Sequence, residues 1–290
     1  MIDRRLRWLG VSGFALFAAA LAVIWALQPD REAGPCAIAT GPAMLPEIRE
    51  TSGLAVSRRD PGWLWTHNDS GNTPVLFAID PTGALLARVR VAGRMRDWED
   101  ISAAPCSQGD CLYLADIGDN QQRRPRVQIY RVREPGRGDA ETAAPEVFTA
   151  TYADGPHNAE AMFVVGADLF IVTRDRTGGV YRATMSDSRD LTFRRIGQLD
   201  LAAVTDAETS RDGRTVVVRT YREAVFYRTG DLAAGRIVRT ARIGLEGLQE
   251  PQGEGVALDG PMLYLSSEGR GWNRGGRIVS LRCTWPSPGD

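Results

Sequence analysis

Three carboxylates crowd one tryptophan between Met95 and Pro105: Asp97, Glu99 and Asp100 surround Trp98, just ahead of an apolar run that begins at Ile101. Carboxylates set side by side repel, and each costs free energy to remove from water. The cluster recurs along the chain. Five stretches align without gaps: ETSGLAV from Glu50, DWEDISA from Asp97, NAEAMFV from Asn158, TDAETSR from Thr205 and QGEGVAL from Gln252, with starts 47, 61, 47 and 47 residues apart. A hard cation such as calcium binds about 6–8 oxygen atoms from carboxylates, carboxamides and carbonyls. Glu50, Asn68, Asp97, Glu99, Asp116, Asn158, Glu160 and Glu254 carry those atoms and are the candidate metal ligands. Each has a second role open to it, as a cap on a strand end or a bond to the neighbouring unit.

Other residues in the same phase of the repeat add chemistry. Arg174 and Arg219 each end a run of β-branched residues (IVTRD, VVVRTY), and a guanidinium fork grips phosphate or carboxylate at two points. A small anionic substrate or ligand is therefore expected, although each Arg would equally neutralise a neighbouring Glu. His67 and His157 both precede an Asn of the set and are candidates for general base. Asp69, Asn120, Glu268 and Trp272 complete the candidate binding residues, Trp272 from a Gly-rich loop. Trp63, Trp65 and Trp98 alternate with or abut apolar residues and read as core.

Positioning such a set requires β structure. Each unit holds short runs rich in Val, Ile, Tyr, Phe and Thr, split by turn residues such as DPTG and SRDG. No segment after residue 30 shows a sustained helical period. Four short strands per unit of about 40–50 residues predict the blades of a β-propeller. The fifth unit offers only three strands, and AMLPEIR after Cys36 is an orphan strand that would complete it. Five blades follow, while the extra length of the second unit leaves room for a sixth. Antiparallel neighbours put first-strand starts and second-strand ends at one mouth. That set includes Asp206, Asp119 and Asp175 beside the residues above.

The expected domain plan is a cytoplasmic n-region and membrane span over 1–30, a linker and closing strand over 31–46, a propeller over 47–284 and a tail over 285–290. Leu9–Leu27 is 19 residues without charge, close to the roughly 20 needed to cross a bilayer. It follows Arg4, Arg5 and Arg7, which predict a cytoplasmic N-terminus and an extracytoplasmic propeller. Cleavage as a signal peptide, giving a secreted domain, is the alternative. Four Cys in an exported domain favour disulfides: Cys106 with Cys111 across SQGD, and Cys36 with Cys283 between the two ends. The formal net charge is −1 and every basic residue is Arg, with no basic platform for nucleic acid. A GxSxG elbow and a phosphate-binding Lys loop are both missing.

ETSGLAVS, WTHNDSGN, DWEDIS, YLADIGDN, NAEAM, VRTY and PQGEGVALD together resemble the exported bacterial propellers grouped with esterase-like phytases and calcium-dependent phosphotriesterase-type folds. The resemblance spans nearly all of Glu47–Arg282. It implies calcium-dependent hydrolysis of a phosphoester or ester at the mouth; a propeller that binds a ligand or protein without turnover is the alternative.

Overall fold

A computed structural model describes residues 35–269 and 275–284. The predicted membrane span and Trp272 lie outside the described residues. No helix among the described residues is long and apolar enough to cross a membrane.

The chain is all-β. Strand β1 (Cys36–Leu45) precedes five units. The first holds β2 (Thr51–Val56), β3 (Leu64–Asn68), β4 (Val75–Ile79) and β5 (Leu85–Arg90). The second holds β6 (Asp100–Cys106), β7 (Gly109–Asp116), β8 (Val127–Arg133) and β9 (Glu146–Tyr152). In the third are β10 (Ala159–Val165), β11 (Asp168–Thr173), β12 (Gly179–Thr184) and β13 (Asp190–Gln198). In the fourth are β14 (Val204–Thr209), β15 (Thr215–Thr220), β16 (Glu223–Arg228) and β17 (Arg239–Gly244), with the one-turn helix α1 (Thr229–Ala233) after β16. The last comprises β18 (Gly253–Asp259), β19 (Met262–Ser267) and β20 (Gly276–Cys283), and β1 pairs with β20 as its fourth strand. Consecutive strands within each unit are antiparallel, and disulfides join Cys36 to Cys283 and Cys106 to Cys111.

The first strands pack in a closed cycle: β2 on β6, β6 on β10, β10 on β14, β14 on β18 and β18 on β2. This is a propeller-like arrangement. Burial follows it. β2 is buried at every position, whereas β5 alternates and β17 is mostly exposed. Crowding at the axis selects small residues: Gly53, at φ +61°, lies so close to the backbone of Asp100 and Ile101 that a Cβ would collide with it. Five apolar clusters fill the seams between consecutive units. Trp65 and Trp98 meet in the first seam, as core. Removing a ring of that size costs about 3–5 kcal/mol.

The extra length of the second unit does not form further strands. It lies in the link between β8 and β9, where Ala140 and Thr142 hydrogen-bond the backbone of Arg90 on β5 and Glu134 accepts from Trp65 Nε1 at 2.9 Å. A parallel pairing of β9 with β13 joins units two and three into one eight-stranded sheet. One end of the axis is closed by Arg58 and Arg211, which donate to each other's backbone carbonyls at 3.1 and 2.9 Å. The candidate residues gather at the other end.

Candidate functional site

Two repeated backbone features aim side chains into this mouth. The first is an irregularity where each first strand starts. In β10 the register skips between Ala159 and Ala161, in β18 between Gly253 and Gly255, and in β14 between Val204 and Asp206. The extra residues are Glu160, Glu254 and Thr205. In the second unit Glu99 N donates to Ala115 O at 2.9 Å while Asp100 is the register partner of Ala115, so two residues again oppose one. Such bulges re-aim a side chain out of the pleat. The second feature follows four of the five second strands, where one residue donates to a first-strand start: Asp69 to Glu50, Gly118 to Asp97, Arg174 to Asn158 and Glu268 to Gln252, at 2.8–3.0 Å.

The sharpest focus is acidic. Oxygens of Asp69, Asp97 and Glu99 all lie within 4.8 Å of one another. No hydrogen bond reaches the carboxylate of Asp97 or Glu99 among the described residues. Among the described residues the Asp69 carboxylate accepts from Ser70 N alone, at 2.5 Å. Gly118 is bare at this point, and a Cβ there would collide with the carboxylates of Glu99 and Asp97. Burial, then the charges of Asp69, Asp97 and Glu254, pushes Glu99 up to about 9. Burial also raises Asp69 and Glu254, and lifts Glu268 to about 7 with help from Glu254, Asp69 and Glu50. Such an all-oxygen donor set, with free lone pairs and mutual repulsion, fits a hard divalent cation.

Arg174 is the cation at the centre. It pairs with Glu160 and donates to Tyr221 Oη, whose ring lies 5.4 Å from its guanidinium carbon. Tyr221 in turn donates to Glu254 Oε1 at 3.3 Å, and Gln252 Nε2 donates to the same oxygen at 2.7 Å. Burial first, then Glu254, pushes the Tyr221 hydroxyl up to about 12.

The remaining expected residues fall elsewhere. Arg219 is fully buried one step below the mouth; it pairs with Glu250 and donates to Gly255 O at 2.7 Å and Ser266 O at 3.2 Å. Asp116 is also buried, accepting from the N–H groups of Arg96 and Asp97 and from Arg124 Nη2. Asn68 accepts from Glu50 N, and Glu50 accepts from Asn72. Asn158 accepts from Asp119 N and donates to Asn120, so it clips unit three to unit two. His67 is fully enclosed, tilted against Trp98 with ring centroids 4.0 Å apart, and burial lowers it to about 4. His157 is bonded to Asp154 at 3.0 Å and Tyr181 at 2.8 Å, with no hydrogen bond to Asp69, Asp97 or Glu99. Asp175 caps its own turn through Thr177 and Gly178.

Asp206 is a correction to the gapless alignment. The bulge puts Thr205, not Asp206, at the mouth, and Thr205 donates to Gly253 O at 3.1 Å. Asp206 sits deeper, beside Asp100, and both are fully buried. Tyr221 and Gln252 were missed as site residues. Their signal was available, because Arg174, Tyr221 and Glu268 are spaced by the same 47 residues as the repeat.

No protein-family model and no curated protein matches the chain. Among solved structures, a gluconolactonase from Xanthomonas campestris aligns at 11% identity over 83% of this chain and 89% of its own, with a TM-score of 0.44. Hydrazine synthase of Kuenenia stuttgartiensis aligns at 14% identity, 76% and 56% coverage and a TM-score of 0.39. U3-55K aligns at 12% identity, 80% and 67% coverage and a TM-score of 0.40. Likenesses this distant transfer no activity, and none of the three is named as a phytase or phosphotriesterase.

Proposed function

We propose that the chain is a five-bladed β-propeller hydrolase that uses a divalent cation, calcium by its donor set, to cleave an ester or phosphoester at the mouth. The observation that carries this reading is the Asp69–Asp97–Glu99 cluster, gathered within 4.8 Å, with two carboxylates that accept no hydrogen bond from the described residues. These three residues would hold the cation. Bound there, it would polarise a carbonyl or phosphoryl oxygen and lower the pKa of a water. Glu268, lifted to about 7, suits proton transfer near neutrality. Arg174 holds Glu160 and Tyr221 holds Glu254, and Arg174 would present positive charge to a developing oxyanion. The two disulfides fit an extracytoplasmic site of action, and the apolar N-terminal segment would anchor the protein in the membrane.

One observation favours the alternative, ligand binding without turnover: neither His67 nor His157 hydrogen-bonds Asp69, Asp97 or Glu99. The test is metal analysis of the purified protein, followed by a panel of carboxylic esters, a lactone and phosphoesters with and without chelator. Turnover that chelator abolishes and calcium restores is expected. Absence of both bound metal and chelator-sensitive turnover would overturn the reading.

A further inference from the structure

Leucines and valines of units four and five pack the seam between them, and beside the link from β17 to β18 that seam opens into a cavity of about 330 Å³. The volume lies within the range of roughly 300–1,000 Å³ typical of small-molecule sites. Its walls come from three places: Leu248 on the link, Leu265 and Val279 on β19 and β20, and Ile38 and Pro42 on β1. Two polar side chains interrupt this apolar surface. Leu263 and Leu265 on β19, and Val279 and Leu281 on β20, enter the seam. Ser267 and Arg277, two residues further along each strand, face the same way. They are cross-strand partners, and both line the cavity.

Neither group is spent on the protein. Ser267 is fully buried, and its hydroxyl has no hydrogen-bond partner among the described residues. Arg277 is half-buried, and no acid pairs with it among the described residues. Among the described lining residues the only carboxylate is Glu250, and it is committed to Arg219. The cavity therefore combines apolar walls with one uncompensated guanidinium and one buried, unmatched hydroxyl. A guanidinium fork matches a planar carboxylate at two points, and a buried polar group left unmatched is costly. A single positive charge suits a monoanion, and the walls suit an alkyl chain.

We propose that this cavity binds an amphipathic monocarboxylate of the medium-chain fatty acid class. The head group sits on Arg277 and Ser267, and the chain lies along Leu248, Leu265 and Val279. None of these residues belongs to the acid cluster, so the site is independent of the hydrolytic reading and needs no cation.

The test is titration of decanoate, decanol and acetate into the purified full chain, with chelator present. Decanoate is expected to bind at least about tenfold more tightly than decanol, which lacks the charge, and far more tightly than acetate, which lacks the chain. Arg277→Gln should abolish the preference over decanol, and Ser267→Ala should weaken decanoate about three- to tenfold. Arg282→Gln, which removes the same charge from an exposed position of β20, should change nothing. Ile38 is 57% exposed, so Ile38→Glu spares the core while adding a negative charge to the lining; it should weaken decanoate more than decanol. No decanoate binding, decanoate no tighter than decanol, a preference retained in Arg277→Gln, or an equal loss in Arg282→Gln would overturn the proposal. Decanoate binding that appears only when calcium replaces the chelator would assign it to the mouth acids and overturn it too. Arginine-dependent decanoate binding without turnover of any ester would sink the hydrolytic reading and leave this site standing. Chelator-sensitive turnover with no decanoate binding would do the reverse.

Discussion

The axis carries two groups of acids within a few residues of each other, and they are treated in opposite ways. At the waist, every carboxyl is given donors. Asp100 accepts from Ile101 N and Met162 N, both at 2.6 Å; Asp206 accepts from Val256 N at 2.5 Å; Glu208 accepts from Ser102 Oγ and from Ala103 N at 3.3 Å. The donors Met162 and Val256 belong to neighbouring units and Ala103 to a unit across the axis, so these acids are fasteners. At the mouth, Asp97 and Glu99 face Asp69 with no donor among the described residues. Residue type does not separate the groups, nor does burial: Glu99 is 6% exposed. For Glu99 and Asp100, adjacent in sequence, what separates the two treatments is one residue of bulge. A carboxyl in the regular ladder points at the next strand's N–H, and a carboxyl on the bulge points along the axis.

The largest expected effect comes from breaking the mouth. Glu99→Gln keeps the shape and removes one ligand charge. Turnover of any ester found to be a substrate should fall at least about 100-fold, and the calcium-dependent rise in Tm should disappear. Without calcium the variant should be no less stable than wild type near neutral pH, because burial and the neighbouring acids hold Glu99 up to about 9 and a neutral amide then replaces a neutral carboxyl that accepts no hydrogen bond from the described residues. A loss of calcium-free stability would instead place Glu99 among the fasteners.

Breaking the waist should do the opposite. Asp206→Ala leaves the buried N–H of Val256 without an acceptor, at a cost of about 2 kcal/mol. For a chain of this size that is a fall of roughly 4–8 °C in Tm, with calcium affinity retained. Asp206→Asn keeps an acceptor and should lose less. If Asp206→Ala abolished calcium binding while Tm held, the two groups would have to exchange roles.

How much of this difference could be read in the sequence is itself informative. The 47-residue spacing exposes the repeat, and the orphan strand after Cys36 together with Cys283 exposes the ring closure. Those signals survive because strand number and spacing are properties of whole units. Bulges are not. They insert one residue without changing composition, so a gapless alignment places Asp206 at the mouth and pairs Arg219 with Arg174. Counting 47 residues from Arg174 arrives instead at Tyr221. Asp69 was legible as a mouth residue but not as a partner of Asp97 and Glu99, because that proximity depends on Gly118 having no side chain.

The waist has a pH signature. Burial holds Glu208 well above the ordinary carboxylate range, and it raises Asp100 and Asp206 as well. The sign follows from linkage: a carboxyl whose folded pKa is raised adds stability below its unfolded pKa of about 4, and that stability is lost as pH climbs through the folded value. Tm should therefore decline from pH 5 to pH 9, measured with calcium present so that the mouth acids are held. Glu208→Gln, which preserves an acceptor for Ser102, should flatten the decline. A slope unchanged in Glu208→Gln would mean that other groups carry it.

The smallest expected effect tests the border between the two groups. Tyr221 is at the mouth by its repeat phase, yet it is engaged like a fastener, receiving Arg174 on its hydroxyl and donating to Glu254. Tyr221→Phe removes one half-buried hydrogen-bonding group, worth about 1 kcal/mol. Glu254 keeps Gln252 as a donor at 2.7 Å, and Arg174 keeps Glu160, so the frame around the acids survives. Calcium affinity should change only a few-fold, and turnover by no more than about tenfold. A loss as deep as that of Glu99→Gln would show that the hydroxyl itself meets the substrate, and would move Tyr221 from the frame of the site into its chemistry.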